Sequence, residues 1–281
     1  MKVGTVLQDE LGTFESLLLT ETTTRIQRGE TFLTLGLTEE EAGVTIAAGA
    51  LSGRIEKQVF VIHSFYVAPA YRRKGGATLL LEELRNLLTG TRTKTVSVSH
   101  ASASAEYDLL ERFLIKKGFM LEKTEGDALY ETTLSAIDAA GHLNRGGTSS
   151  AVISFADTDD YRLRKLTKEG RVSDAPMPQD GLTGARVDRD VSMLLTGEGE
   201  KGYLVIEQLD QQSLSISGIW HNGGNPVCVL TLLQAAMQKC REKYPPEEKL
   251  FVPTASEVSE KLLNKLIPDA KDILRKYIMY M

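Results

Sequence analysis

Residues 63–78 read His63-Ser64-Phe65-Tyr66-Val67-Ala68-Pro69-Ala70-Tyr71-Arg72-Arg73-Lys74-Gly75-Gly76-Ala77-Thr78, and within them the hydrophobic period changes. Upstream, Gln58 to Val67 is rich in Val, Ile and aromatic residues, the composition of a strand. Downstream, Ala77, Leu80, Leu81, Leu84 and Leu88 recur at helical spacing, and Gly90 stops the run. A strand, a basic glycine turn and a helix therefore follow in that order. The first amides of a helix have no internal acceptor, and the helix dipole places partial positive charge there, so an anion fits. Gly75 and Gly76 let that backbone approach a phosphate closely, and Arg72, Arg73 and Lys74 add cationic groups suited to a pyrophosphate.

Outward from this segment, Thr31 to Leu37 and Gly43 to Leu51 read as two preceding strands, separated by polar turns and antiparallel. After it come a short strand, Thr95 to Ser99, and a second helix lined by Leu109, Leu110, Phe113 and Leu114 that ends at Gly118. Tyr130 to Leu134 closes this half with another strand. Ser135 to Ser150, with Gly146-Gly147 and small polar residues, has the composition of a linker.

The second half repeats the order. A helix near Tyr161 to Lys168 precedes strands at Val191 to Leu195, Gly202 to Gln208 and Ser213 to Trp220. A helix over Val227 to Lys239, a strand over Lys249 to Val252 and a capping box at Thr254-Ala255-Ser256-Glu257 follow, with Ile273 to Tyr280 as a last strand. Laying Ser256 over Ser102 brings the two halves into near register, as an internal duplication would. The expected boundaries are 1–136 for the first domain, 137–150 for a linker and 151–281 for the second.

The central segment resembles the acyl-CoA motif of the GNAT superfamily of N-acetyltransferases, Val-x-Pro-x-Tyr followed by Arg/Gln-x-x-Gly-x-Gly/Ala. The matching residues are Val67, Pro69, Tyr71, Arg72, Gly75 and Ala77. The resemblance covers residues 1 to about 134 and implies an α+β fold of two tandem GNAT-like domains, each a mixed, mostly antiparallel sheet flanked by helices. It implies acetyl-CoA as acyl donor, held by Arg72, Arg73, Lys74, Gly75, Gly76, Ala77 and Thr78, with pantetheine pairing like an added strand against Phe65, Tyr66 and Val67. The second copy lacks the arginines and the glycine spacing at Trp220 to Pro226 and is expected to be degenerate, shaping the acceptor cleft.

The implied reaction is direct acetyl transfer to a small-molecule or peptide amine. The family's usual proton donor is a tyrosine four residues before a Gly-Phe pair. Gly118-Phe119 is that pair here, and the position holds Leu114, which cannot donate a proton. The remaining candidates are Tyr107 on the same helix, His100 at the end of the adjoining strand with Ser99 and Ser102, and His63, placed in phase with Phe65 and Val67 as a general base. Leu114 also leaves open a non-catalytic acyl-CoA sensor.

Composition excludes other classes. With 42% hydrophobic and 25% charged residues the chain reads as globular, and 38 acidic against 33 basic side chains leave a charge of -5, with no pull on nucleic acid or anionic lipid. No apolar run approaches the ~20 residues of a membrane span and no signal peptide is evident, so a cytoplasmic location is expected. Cys228 and Cys240 and the four histidines lack metal-ligand spacing, so no metal is expected. A monomer or homodimer is consistent with this reading.

Overall fold

The first half builds a sheet between two helical layers. The computed structural model describes residues 1–101, 105–122, 127–143, 152–173, 175–178, 180–196, 202–223 and 226–281, with the backbone alone for 105–108, 127, 226 and 255. Its elements are β1 (Lys2–Thr5), α1 (Leu11–Phe14), α2 (Thr20–Gln27), β2 (Leu33–Glu41), β3 (Val44–Glu56), β4 (Val59–Val67), α3 (Gly76–Leu88), β5 (Thr95–Ala101), α4 (Ala105–Lys116) and β6 (Met120–Glu122). The helix α3 forms because Leu80, Leu81, Leu84 and Leu88 fall on one buried stripe. That stripe packs on Leu35, Leu37, Phe60, Ile62, Val96 and Val98 in one core, while Leu11, Phe14 and Leu18 cover the opposite face of the sheet. On α4, Leu110, Phe113 and Leu114 pack inward, whereas Leu109, expected on that stripe, is exposed.

The second half contributes β7 (Asp127–Thr133), α5 (Leu134–Ala140), β8 (Val152–Ser154), α6 (Asp160–Val172), β9 (Met193–Leu195), β10 (Gly202–Asp210), β11 (Ser213–His221), α7 (Pro226–Lys243), β12 (Lys249–Ala255), α8 (Glu257–Leu266), β13 (Lys271–Asp272) and β14 (Leu274–Tyr280). Here α7 brings Leu232, Leu233, Ala236, Met237 and Cys240 onto one face of the sheet, and α6 brings Leu163 and Leu166 onto the other. Burial pushes the Cys240 thiol up to about 12, so it behaves as a core side chain. Among the described residues no helix is long and apolar enough to cross a membrane.

Among the described residues each sheet has seven strands, in the orders β1-β2-β3-β4-β5-β14-β6 and β13-β7-β12-β11-β10-β9-β8. The registers described are parallel at β4–β5 and β11–β12 and antiparallel at the others, so the expected tandem architecture of mixed, mostly antiparallel sheets is present. The chain divides into Met1–Lys123 with Arg275–Met281, and Thr124–Leu274, which moves the expected boundary at 136. Strand β7, read as closing the first half, pairs with β12 and β13 in the second sheet. Strand β14 lies between β5 and β6 in the first. Each sheet thus takes one interior strand from the other half of the sequence.

Two further expectations are corrected. The linker expected over 137–150 begins as helix, because Leu134 and Ile137 are buried in the second core and the Thr133 hydroxyl caps the helix by accepting from the Ala136 amide; residues 144–150 lie outside the described residues. The capping box at Thr254 is displaced by two residues. Thr254 belongs to β12, and the Ser256 hydroxyl accepts from the Ser259 amide to open α8.

Candidate functional site

Strands β4 and β5 pair in parallel from Val59 with Thr95 to Ile62 with Val98, and their described pairing ends there although both strands continue. Beyond that point β4 keeps only its other neighbour, β3, which pairs Phe65 with Leu51, Tyr66 with Ala50 and Val67 with Gly49. A wedge therefore opens in the sheet, with the edge of residues 63–67 on one side and 99–101 on the other.

A β-bulge marks the apex. On β3, Ser52 pairs with Ser64 and Gly53 with Ile62, so His63 is the extra residue. The bulge shifts the phase of β4: Phe60 and Ile62 before it, and Phe65 and Val67 after it, all face the α3 side. His63 was expected in phase with Phe65 and Val67; the bulge instead turns it to the α1–α2 side. There it meets Phe32 edge to face at 5.3 Å, and Ser64 accepts the Leu19 amide.

At the mouth of the wedge, β4 runs through the 3-10 turn Pro69–Tyr71 into the basic loop. Arg73 and Gly75 have φ of 62° and 88°, which curl the loop so that its amides converge. Among the described residues, the amides of Arg73 to Thr78 have no acceptor; the helical ladder of α3 starts with Leu79 donating to Gly75. A Cβ at Gly76 would lie 2.4 Å from Leu37 Cδ2, which explains glycine there, whereas at Gly75 the positive φ is the reason. Arg72, Arg73, Lys74 and Gly75 are exposed, so this concavity is open. Arg72 donates from Nε to the Val67 carbonyl at 3.0 Å and lies over the Tyr66 ring, and Lys74 lies over Tyr71. The ten residues expected to hold a donor molecule are thus brought to one wedge and its mouth. The arrangement can seat an anion at the loop and an extended amide chain along the free edge of β4.

The titratable candidates take up opposite faces. His63 lies near Arg25 and Arg54, whose guanidinium groups flank Phe32 at 5.3 and 5.9 Å and share the Glu30 carboxylate. Burial first, then Arg25 and Arg54, hold its imidazole below the usual histidine range. His100 stands on β5 two residues past Val98, in phase with the buried Val96 and Val98, and so faces the α3–α4 side. Burial lowers its imidazole too, against the opposing pull of the Ala101 backbone and Glu111. Leu114, at the position of the tyrosine implied by the resemblance, is fully buried. The side chain of Tyr107 and the whole of Ser102 lie outside the described residues. Sequence reasoning missed Tyr277, because nothing in the alternation of β14 says which sheet it enters.

Both histidines are held below the unfolded value of about 6.5, so as pH falls the unfolded chain takes up these protons first. Stability is expected to be intact above about pH 6.5 and to weaken below it. Thermal melting at pH 7.5 and 5.5 checks this: the difference should shrink in a His63→Gln, His100→Gln double variant.

The second sheet repeats the wedge. Strands β11 and β12 pair from Ser213 with Lys249 to Ser215 with Phe251 and then part, and a bulge leaves Ser217 as the extra residue. At the turn before α7, residues 224 and 225 lie outside the described residues. Among the described residues no group of three or more His, Cys, Asp or Glu could hold a metal.

Residues 7–108 match the profile of the Acetyltransferase (GNAT) family. No curated protein sequence matches the chain. Among solved structures, a tandem GNAT protein from the clavulanic acid biosynthesis pathway, solved without AcCoA, is similar over 99% of this chain and 98% of its own, at 12% identity and a TM-score of 0.61. A probable N-acyltransferase from Enterococcus faecalis is similar over 98% of this chain and 71% of its own, at 13% identity and a TM-score of 0.52. The glucosamine N-acetyltransferase region of a fungal multi-domain beta-N-acetylglucosaminidase is similar over 100% of this chain and 38% of that one, at 11% identity and a TM-score of 0.53. At these identities the likeness is one of fold.

Proposed function

We propose, from residues 7–108 being a GNAT-family acetyltransferase domain within a tandem GNAT fold, that the chain transfers an acetyl group directly from acetyl-CoA to a primary amine. The observation that carries this is the open wedge whose mouth is the unpaired amide loop of residues 73–78. A diphosphate seated on that loop would direct an attached amide chain down the free edge of β4 toward His63. The run from Ala68 to His63 spans roughly 16 Å at about 3.3 Å per residue, a suitable length for a pantetheine arm. The reacting carbonyl would then lie at the apex, where the sheet parts.

The opposite faces taken by the two histidines support a division of roles, although burial lowers both rings. His63, on the α1–α2 side, is neutral near pH 7 and accepts the amine's proton as nitrogen attacks. His100, on the α3–α4 side with a carboxylate beside it, is placed to return a proton to the departing sulfur. Phe65, Tyr66 and Val67 orient the donor through their backbone, and Arg72, Arg73 and Lys74 oppose its charge. The acceptor is a small-molecule or peptide amine, and we place the protein in the cytoplasm as a monomer or homodimer.

A second reading, an acyl-CoA sensor without turnover, is favoured by the buried Leu114. Isothermal titration with acetyl-CoA followed by thiol release over an amine panel separates the two: binding with thiol release supports transfer, and binding without release for any amine supports the sensor. Arg72→Ala combined with Arg73→Ala is expected to weaken acetyl-CoA binding about 10- to 100-fold by removing two charge-assisted contacts. The wild-type affinity should also fall as salt is raised.

A further inference from the structure

Three titratable side chains from three elements meet beneath α4. Tyr277 on β14 is 2% exposed and its ring stacks on His100 at 5.8 Å with planes 4° apart. Glu111 on α4 places Oε1 3.8 Å from His100 Nε2. Burial first, then the Glu111 charge, raises the Tyr277 phenol, so it stays protonated. Arg275 of β14 also acts on His100 and opposes its protonation. A core needs none of these polar groups, since apolar residues fill the same volume without desolvation cost. Leu114 follows Glu111 by one turn of α4, so the helix lacks a phenol there while β14 supplies one close by.

We infer that Glu111 and Tyr277 are positioning residues for His100, so that the last strand of the chain completes the acid side of the first wedge. This rests on the transfer reaction proposed above. As the amine's C–N bond forms and the C–S bond breaks, the electron pair goes to sulfur. His100 is mostly neutral near pH 7, and it is its minor imidazolium form that passes an N–H proton to that sulfur, giving the free thiol, while water restores the proton to the ring. Glu111 favours the imidazolium against burial and Arg275, and the Tyr277 ring fixes the imidazole plane.

The test uses the full chain labelled at histidine, with His100 assigned by its loss in His100→Gln. In Glu111→Gln, the midpoint of His100 protonation should move to lower pH, and kcat should fall about tenfold, short of the ~100-fold typical of losing a general acid outright. Acetyl-CoA affinity by titration should not change. Tyr277→Leu should shift the His100 ring resonances through loss of the stacked ring and lower kcat, and Tyr277→Phe should restore both. If Tyr277→Leu does not fold, Glu111→Gln decides. Binding and turnover with His100 midpoint and kcat unmoved in Glu111→Gln overturn the inference alone. Failure of the wild-type protein to bind acetyl-CoA overturns the transfer reading, and this inference with it.

Discussion

A chain ending at Ile273 is expected to lose acetyl-CoA binding by more than about 100-fold, although no residue of the proposed binding loop is removed. Deleting β14 takes Tyr277 and Met279, each 2% exposed, out of the first core and strips β5 and β6 of their shared neighbour. Two such side chains contribute about 3–6 kcal/mol of burial, comparable with the ~5–15 kcal/mol that holds a typical domain together. The Met281 amide, which donates to the Lys94 carbonyl at 2.9 Å, is lost as well and with it the pin at the start of β5. Hydrogen exchange should show β5 amides unprotected, and calorimetry should show a smaller unfolding enthalpy than the full chain gives. A truncated chain that binds acetyl-CoA with wild-type affinity and melts normally would establish that β14 is dispensable. A fragment of residues 1–136 is expected to fail for the converse reason. It carries β7, whose Ala128, Tyr130 and Thr132 are buried only in the second sheet, and it lacks β14.

His63→Ala is expected to lower kcat/KM by about 10²–10³-fold with acetyl-CoA affinity unchanged, because His63, the extra residue of the bulge at which the wedge opens, is the proposed general base. The pH profile gives a sharper criterion. His63 is held below its ordinary 6.5, so the acid limb of kcat/KM should fall below that value in the wild type. Arg54 is one cause of the lowering, so Arg54→Gln should move the limb upward toward about 6.5, and the limb should vanish in His63→Ala. An acid limb that ignores both substitutions would remove His63 from the mechanism. Its partner in the same cluster, Phe32, offers a control. Phe32→Leu removes the edge contact and the face shared by Arg25 and Arg54 while keeping every charge, so it should lower kcat/KM far less than His63→Ala does.

The sequence by itself determined the strand, basic glycine turn and helix that follow one another through residues 58–88. Helical spacing from Ala77 to Leu88 and the basic glycines before it are local patterns, and the helix they specify begins at Gly76 as expected. The same holds for the second copy, where β11, α7 and β12 repeat the order of β4, α3 and β5. Only the tertiary structure decided which sheet each closing strand enters. An alternating strand buries one face equally well against either core, and nothing in Asp127–Thr133 or Leu274–Tyr280 distinguishes the two. The face on which His63 lies was hidden for a related reason. A bulge adds one residue to a pairing register, and register is a property of two strands together, so the side chain turned to the other side of the sheet without any mark in β4 itself.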